Sequence, residues 1–407
     1  MQFRQHPHAR SASALAGLCL GVLILAAVPV PAAAAKPRAR DLGVPFEGTP
    51  GPRNAITDVA GVEVGQTTLI SGDGKLVPGQ GPVRTGVTVV LPRGKASSDP
   101  VFAGWYALNG NGEMTGTTWL HEGGFLEGAV LITNTHSVGT VRDAAVAWHL
   151  VHFPKQAENG DFSLPVVAET WDAFLNDLNG FHVTKEDVFH AFDSASAEVA
   201  EGNVGGGTGM ISYGFKGGIG TASRRLDGRP EEGTGGYTVG VLVQSNHGRR
   251  PRLTIAGVPV GREIPDLLPQ PGRPSAVQHA DGQGSIIIIV ATDAPLLPHQ
   301  LDRLARRAAL GVGRVGGAGE NSSGDIFLAF STANPGAAQP EGIAHLTMLP
   351  NERIDAVLQA TVDATEEAIV NAMVAAETMT GADGNTVYAL PHDRLREILK
   401  KHNRLNP

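Results

Sequence analysis

Six polar residues stand where an apolar run meets a Gly-rich loop: Asn134, Glu169, Asn246, Ser285, Ser323 and Asp325. Any one of them alone reads as a turn-former, because short polar side chains bond readily to nearby backbone. Together they supply a nucleophile, an amide donor and carboxylates, the set that acyl transfer requires. Ser285 holds the most specific position. It follows Gly284 at the end of a stretch that a sheet cannot use, and it opens the β-branched run Ser285-Ile286-Ile287-Ile288-Ile289-Val290-Ala291-Thr292-Asp293, which reads as a buried strand. A serine at a strand start needs no further meaning. If the chain were cut between Gly284 and Ser285, however, Ser285 would carry both a hydroxyl and a free α-amine. Such an amine titrates near about 7.7–8.0, so a useful fraction is neutral at pH 7 and can act as base. A side-chain amide such as that of Asn246 could donate to the oxyanion that develops.

Other chemistries find less support. Gly311-Val-Gly-Arg-Val-Gly316 fits a bare dinucleotide-binding pattern, but it follows a helical stretch where that motif needs strand and then helix. No Gly-x-Ser-x-Gly elbow and no two-histidine metalloprotease helix occur, and the 14 histidines are scattered. No metal and no cofactor are therefore expected. Asn321-Ser322-Ser323 is formally a glycosylation sequon, a weak signal in a chain that reads as a bacterial export protein.

The elements that must position the six residues follow from hydrophobic period and turn chemistry. Strands are expected over Ile56–Thr68, Val83–Leu91, Val101–Trp105, Ala129–Thr133, Leu164–Ala168, Tyr237–Gln244, Ser285–Asp293 and Asp325–Ser331. Helices are expected over Val141–Val151, Lys185–Glu201 (with Thr184 as N-cap), Pro298–Leu310 and Ile354–Ala376. Asn109-Gly-Asn-Gly-Glu-Met-Thr-Gly116 reads as a tight turn and 202–209 as a Gly-rich passage. Residues 36–55 read as an extended lead-in. Leu267–Ser275 and Asp281–Gly284 read as a slack linker. Strands and helices interleave on both sides of it, which predicts one α/β domain with helices covering packed sheets.

The chain has 407 residues and a formal charge of −8. Residues 1–35 read as a secretory signal: Arg4 and Arg10, an apolar run from Ala12 to Val30, then Ala32–Ala35. Losing its two arginines takes the charge to −10, which argues against nucleic acid as partner. The one cysteine, Cys19, lies in that segment, so the mature chain has no disulfide and no thiol nucleophile. No later stretch is long and apolar enough to span a membrane. A periplasmic or secreted protein is expected, with no membrane partner once the signal is removed.

Five motifs, in order, carry a resemblance: Asn109–Gly116, Thr133-Asn-Thr-His-Ser-Val-Gly139, Pro165-Val-Val-Ala-Glu-Thr-Trp171, Gly214-Phe-Lys-Gly-Gly-Ile-Gly-Thr-Ala-Ser223 and Gly284–Leu296. From about Asn54 to Pro391 the chain resembles the L-aminopeptidase/D-esterase family, which includes the β-peptidyl aminopeptidases. The resemblance implies a four-layer αββα sandwich like that of N-terminal-nucleophile hydrolases, differently connected. It implies an inactive precursor that cuts itself at Gly284–Ser285 into chains 36–284 and 285–407, which stay together. Homo-oligomers of such two-chain units, commonly four, are usual in the family. Ser285 would be the nucleophile, Ser323 and Asp325 would orient or assist it, and Asn246 would be the oxyanion amide. Related sequences can carry Glu where this one has Asp325. Glu169 would pair with the substrate's free amine, and Trp171, with Asn134, would line the substrate pocket. Substrates would be small peptides, or amino-acid amides and esters, with D- and β-amino acids among the candidates. Two rivals remain at this point: an acyltransferase of the ornithine acetyltransferase type, which uses a Thr nucleophile, and a non-catalytic periplasmic binding protein.

Overall fold

The computed structural model describes residues 36–158, 162–228, 236–274, 276–277 and 284–406. The expected signal over 1–35 and the linker residues 275 and 281–283 lie outside the described residues. Two sheets form the centre. One has the order β1-β2-β5-β6: β1 (Glu63–Ser71), β2 (Val83–Leu91), β5 (Val130–Asn134) and β6 (Val166–Thr170). The other has the order β4-β3-β12-β11-β10-β9: β3 (Val101–Ala107), β4 (Phe125–Leu126), β9 (Gly218–Arg225), β10 (Thr238–Asn246), β11 (Ser285–Thr292) and β12 (Asp325–Ser331). A short hairpin, β7 (Ile211–Ser212) and β8 (Phe215–Lys216), precedes β9, and β13 (Met379–Thr380) pairs with β14 (Thr386–Val387). The helices are α1 (Thr117–Gly123), α2 (Val138–His152), α3 (Pro154–Glu158), α4 (Lys185–Asp193), α5 (Val260–Glu263), α6 (Pro298–Arg314), α7 (Asp355–Val374) and α8 (His392–Lys401).

Three apolar clusters separate four layers, and the alternation of side chains along each strand builds them. On β11, Ile286, Ile288 and Val290 face α6 and α7, where Leu301, Leu304 and Ile369 meet them. Ile287, Ile289 and Ala291 face the other way, toward Ile132 and Ala168 of the four-stranded sheet. On that sheet's outer side, Val87, Val89 and Leu131 meet Trp148 of α2 and Phe192 of α4. A strand buried on both faces cannot alternate apolar with polar, which is why the run at Ser285 is apolar throughout. Each fully buried Ile contributes roughly 1.5–3 kcal/mol, so β11 is among the least mobile parts of the molecule.

Several boundaries differ from the sequence reading. The strand expected at Ile56 starts at Glu63, because Ile56–Asp58 makes a 3₁₀ turn whose Asp58 carboxylate accepts from the Arg53 and Ala55 amides. The helix expected to run to Glu201 ends at Asp193, after which Ser196 bridges to Val64 of β1. Gly311 and Gly313 lie inside α6, and a side chain at Gly311 would strike Thr365 of α7. The dinucleotide-like pattern is thus a close helix–helix contact. The lead-in is docked, with Arg40 paired to buried Glu367 at 2.8 Å and Arg38 to Glu201 at 2.7 Å. Much of the supposedly slack linker is docked too. Gln270 exchanges backbone hydrogen bonds with Thr386 of β14, the Gly272 amide donates to Asn385, and Arg273 pairs with Asp383. Residues 36–407 form one compact unit.

Candidate active site

Strand register brings the candidate residues to one end of the six-stranded sheet. Asn246, the last residue of β10, lies opposite Ser285, the first of β11, and Asp325, the first of β12, lies opposite Ile286. Ser285 is buried, and its Oγ accepts a hydrogen bond from the Gly324 amide at 3.0 Å. Ser323 donates its hydroxyl to Asp325 Oδ1, which also accepts from the Ile286 amide at 3.2 Å. Burial pushes the Asp325 carboxyl up to about 6, against the hydrogen bonds from Ser323, Ile286 and Asn109, which favour the ion.

Asn246 is held by both ends of its amide. Its Oδ1 accepts from the Ile211 amide at 2.7 Å, and its Nδ2 donates to the Trp171 carbonyl at 2.9 Å. An amide nitrogen carries two N–H groups, so one remains for another acceptor. Gly284 packs against the same residue. Its φ is +133°, and a Cβ built there would stand 1.8 Å from the Asn246 carbonyl oxygen and 3.3 Å from its Nδ2. Only glycine fits at the residue before Ser285.

Glu169 comes from the other sheet, one residue before the end of β6. Its Oε1 accepts from the Glu113 amide at 3.0 Å and its Oε2 from the Thr135 hydroxyl. Desolvation raises its pKa, and these two bonds oppose the rise. The loop 109–116 joins the two sheets here. Asn109 accepts from the Asp325 amide at 2.6 Å and donates to Asp325 Oδ2 at 3.3 Å, while Thr115 bonds to Val167 and Pro165 beside β6. A cavity of about 420 Å³ opens between them, walled by Glu113, Thr135, Glu169, Trp171, Gly284 and Ser285 among others.

Ser285, Glu169 and Trp171 thus reach the cavity, while Asn246, Ser323 and Asp325 stand directly behind Ser285. Asn134 does not reach it. Its Nδ2 donates to Thr85 Oγ1 at 2.7 Å and its Oδ1 accepts from the Ser137 amide at 3.0 Å, so it caps the turn after β5 from within. The pocket-lining position expected for Asn134 is taken by the next residue, Thr135. Sequence reasoning passed over Asn109 and Glu113, which lie in a motif read as a turn, and the Gly324 amide, which no side-chain pattern can signal. His247 sits beside Asn246 but faces Tyr213 and Ser245. Burial lowers its pKa to about 3, so it stays neutral and is turned away from the cavity. Among the described lining residues there is no His, Lys or Arg. Among the described residues, too, no cluster of His, Cys, Asp and Glu is arranged to hold a metal, and no helix is long and apolar enough to cross a membrane.

The profile of peptidase family S58 matches residues 54–387. The chain belongs to peptidase family S58. Within this family it is 57% identical over 385 residues to the β-peptidyl aminopeptidase BapA of Sphingosinicella microcystinivorans, covering 92% of this chain and 94% of that one. Its fold matches the L-aminopeptidase D-Ala-esterase/amidase of Ochrobactrum anthropi, described as a new variant of the Ntn-hydrolase fold. The TM-score is 0.83 at 50% identity, over 91% of this chain and all of that one. It also matches a Burkholderia sp. β-aminopeptidase, with a TM-score of 0.78 at 47% identity, over 89% of this chain and 98% of that one. This S58 chain is therefore an aminopeptidase with an α/β fold of the Ntn-hydrolase kind.

Proposed function

We propose that this aminopeptidase is an exported enzyme that activates itself by cutting Gly284–Ser285, and that the freed Ser285 is its nucleophile. The observation that carries the reading is the placement of one junction. Gly284–Ser285 walls the cavity, begins a strand buried on both faces, and lies against Asn246 in a conformation that only glycine adopts. In the precursor, Ser285 Oγ attacks the Gly284 carbonyl carbon, and the chain shifts from nitrogen to oxygen as an ester. Water then cleaves the ester, leaving a carboxylate on Gly284 and a free amine on Ser285. In turnover, that amine takes the Ser285 hydroxyl proton as the oxygen attacks the substrate's carbonyl. The leaving amine or alcohol departs protonated, and water releases the acyl group. Asn246 Nδ2 donates to the oxyanion in both reactions. Ser323 and Asp325 fix the end of β12, so that the Gly324 amide stays on Ser285 Oγ. Glu169 pairs with the substrate's free amine, whose positive charge draws the carboxyl's raised pKa back down, and Trp171 packs against the N-terminal residue.

The substrates are small peptides, or amides and esters of N-terminal residues. The names of the relatives favour β-amino acids among them, with D-residues as a further class. Chains 36–284 and 285–407 stay associated, because β11 and β12 pair on either side with β10 and β3 of the large chain. We also place the enzyme in the periplasm or outside the cell, as an oligomer of two-chain units. The acyltransferase and binding-protein alternatives are not favoured, since the relatives are aminopeptidases and a serine opens β11.

The test is intact mass measurement of the purified protein. Wild type should run as two pieces of about 250 and about 120 residues, and Ser285→Ala as one inactive chain. An uncut wild-type protein with full aminopeptidase activity would sink the mechanism.

A further inference from the structure

The cavity has a second carboxylate that the proposed reaction leaves unused. Glu113 lines it, and its side chain is exposed and makes no hydrogen bond or ion pair among the described residues. Burial is the main reason that Glu169 is hard to ionise; the charge of Glu113 adds a smaller effect of the same sign, and nearby His136, which does not line the cavity, acts the other way. Two carboxylates thus face one cavity with no cation among the described lining residues to balance them. One substrate ammonium on Glu169 neutralises half of this. The loop that carries Glu113 is tied down on both sides, by Asn109 on Asp325, by Asn111 on Ser322 and Ser323, and by Met114 bridged to Ala168. Glu113 is therefore presented at low entropic cost, as a specificity residue should be.

We propose that Glu113 is a specificity residue that selects N-terminal residues bearing a second cationic group, an ammonium or guanidinium, on the side chain. The reading rests on the proposed site, with Ser285 as nucleophile and Glu169 on the substrate's amine. The cavity of about 420 Å³ has room for such a side chain beside Trp171. The second charge reaches a carboxylate at the mouth, where water screens it partly, so the gain is about two- to fivefold and depends on salt.

The experiment compares lysyl and norleucyl 4-nitroanilides, and their β-homo forms, on the processed enzyme. Each pair differs by one ammonium group. Wild type should prefer the lysyl member by about two- to fivefold in kcat/KM at low ionic strength, chiefly through KM, and the preference should shrink in ~0.5 M salt. Glu113→Gln should remove the preference, and Glu113→Asp should keep part of it. A lysyl preference that survives in Glu113→Gln, or a wild type that cleaves both equally, overturns the proposal. If wild type cleaves no member of either pair, the reading of the site itself fails, which is a separate result.

Discussion

Gly284→Ala is the most incisive perturbation of the proposed self-cleavage, because its cost can be worked from the structure. The Ala Cβ would lie 1.8 Å from the carbonyl oxygen of Asn246 and 2.8 Å from its carbonyl carbon. Ordinary contact needs about 3.5 Å, so one side must move by roughly 1.5–2 Å. Asn246 cannot give way easily, since it closes the β10–β11 ladder and its amide is held at Ile211 and Trp171. The change therefore falls on residue 284, whose φ of +133° is itself a strained value for alanine, costing about 1–3 kcal/mol. Its carbonyl, the proposed target of Ser285, is displaced with it. A displacement of about 1 Å at a reacting centre costs on the order of 10²-fold, and the rate of cutting should fall by at least that much. The assay follows the fraction cut by intact mass over time after purification, with thermal melting to show that the variant is folded. Once cut, residue 284 ends the large chain and can relax, so activity per cut molecule should match wild type. Cutting at the wild-type rate would refute the argument that the Gly284–Asn246 contact aligns the junction.

Two further perturbations separate catalysis from stability. Asn246→Asp keeps the acceptor for the Ile211 amide but loses the N–H donors, so self-cutting, followed by intact mass over time, should slow by about 10²–10³, and the molecules that do become cut should lose kcat by a similar factor with little change in KM. Asp172 is fully buried, one of its oxygens has no hydrogen-bond partner, and burial pushes its pKa up to about 7. Between the ordinary carboxyl value and about 7 the native state holds a proton that the unfolded chain has lost, so this group makes stability fall as pH rises through that window. Asp172→Asn should flatten the decline and raise Tm at pH 8, with a ceiling on the order of 4 kcal/mol; a Tm gain equal at pH 4.5 and pH 8 would contradict the assignment.

The parts of the fold legible in the sequence are those set by local period. Val83–Leu91 and Asp325–Ser331 coincide with β2 and β12, and the Ser285 strand is one residue shorter than expected. These runs are buried on both faces or bounded by sharp polar ends, so tertiary context has little to override. The errors fall where context decides. The helix from Lys185 stops at Asp193 because Ser196 is claimed by β1, a partner 132 residues away in sequence that no window detects. The linker from Leu267 reads as slack because its Pro and Gly residues prevent strand formation, yet Gln270 finds Thr386 and Arg273 finds Asp383. In the site, the side chains at strand ends were legible as a set. Their pairing was not, because it depends on register between strands far apart in the chain. Asn134 shows the limit most clearly. It has the right residue type at a strand end, but it turns inward to cap the backbone, and Thr135 reaches the cavity in its place.

The geometry also bears on why one serine can serve two reactions. Before any cut, Ser285 is already in register with Asn246, and its Oγ already accepts from the Gly324 amide. Ser323 and Asp325 are already joined, and Asn109 clamps Asp325 by both backbone and side chain. On the proposed mechanism, cleavage therefore need not assemble the site. It converts one amide nitrogen into an amine and frees Gly284 from the wall of the cavity. The rigid strand that follows Ser285 makes this economical, because a nucleophile fixed by a core buried on both faces does not drift when the peptide before it is broken. A loop-borne serine would lose its alignment at that moment. The apolar run after Ser285 is thus as much a part of the proposed chemistry as the hydroxyl at its head.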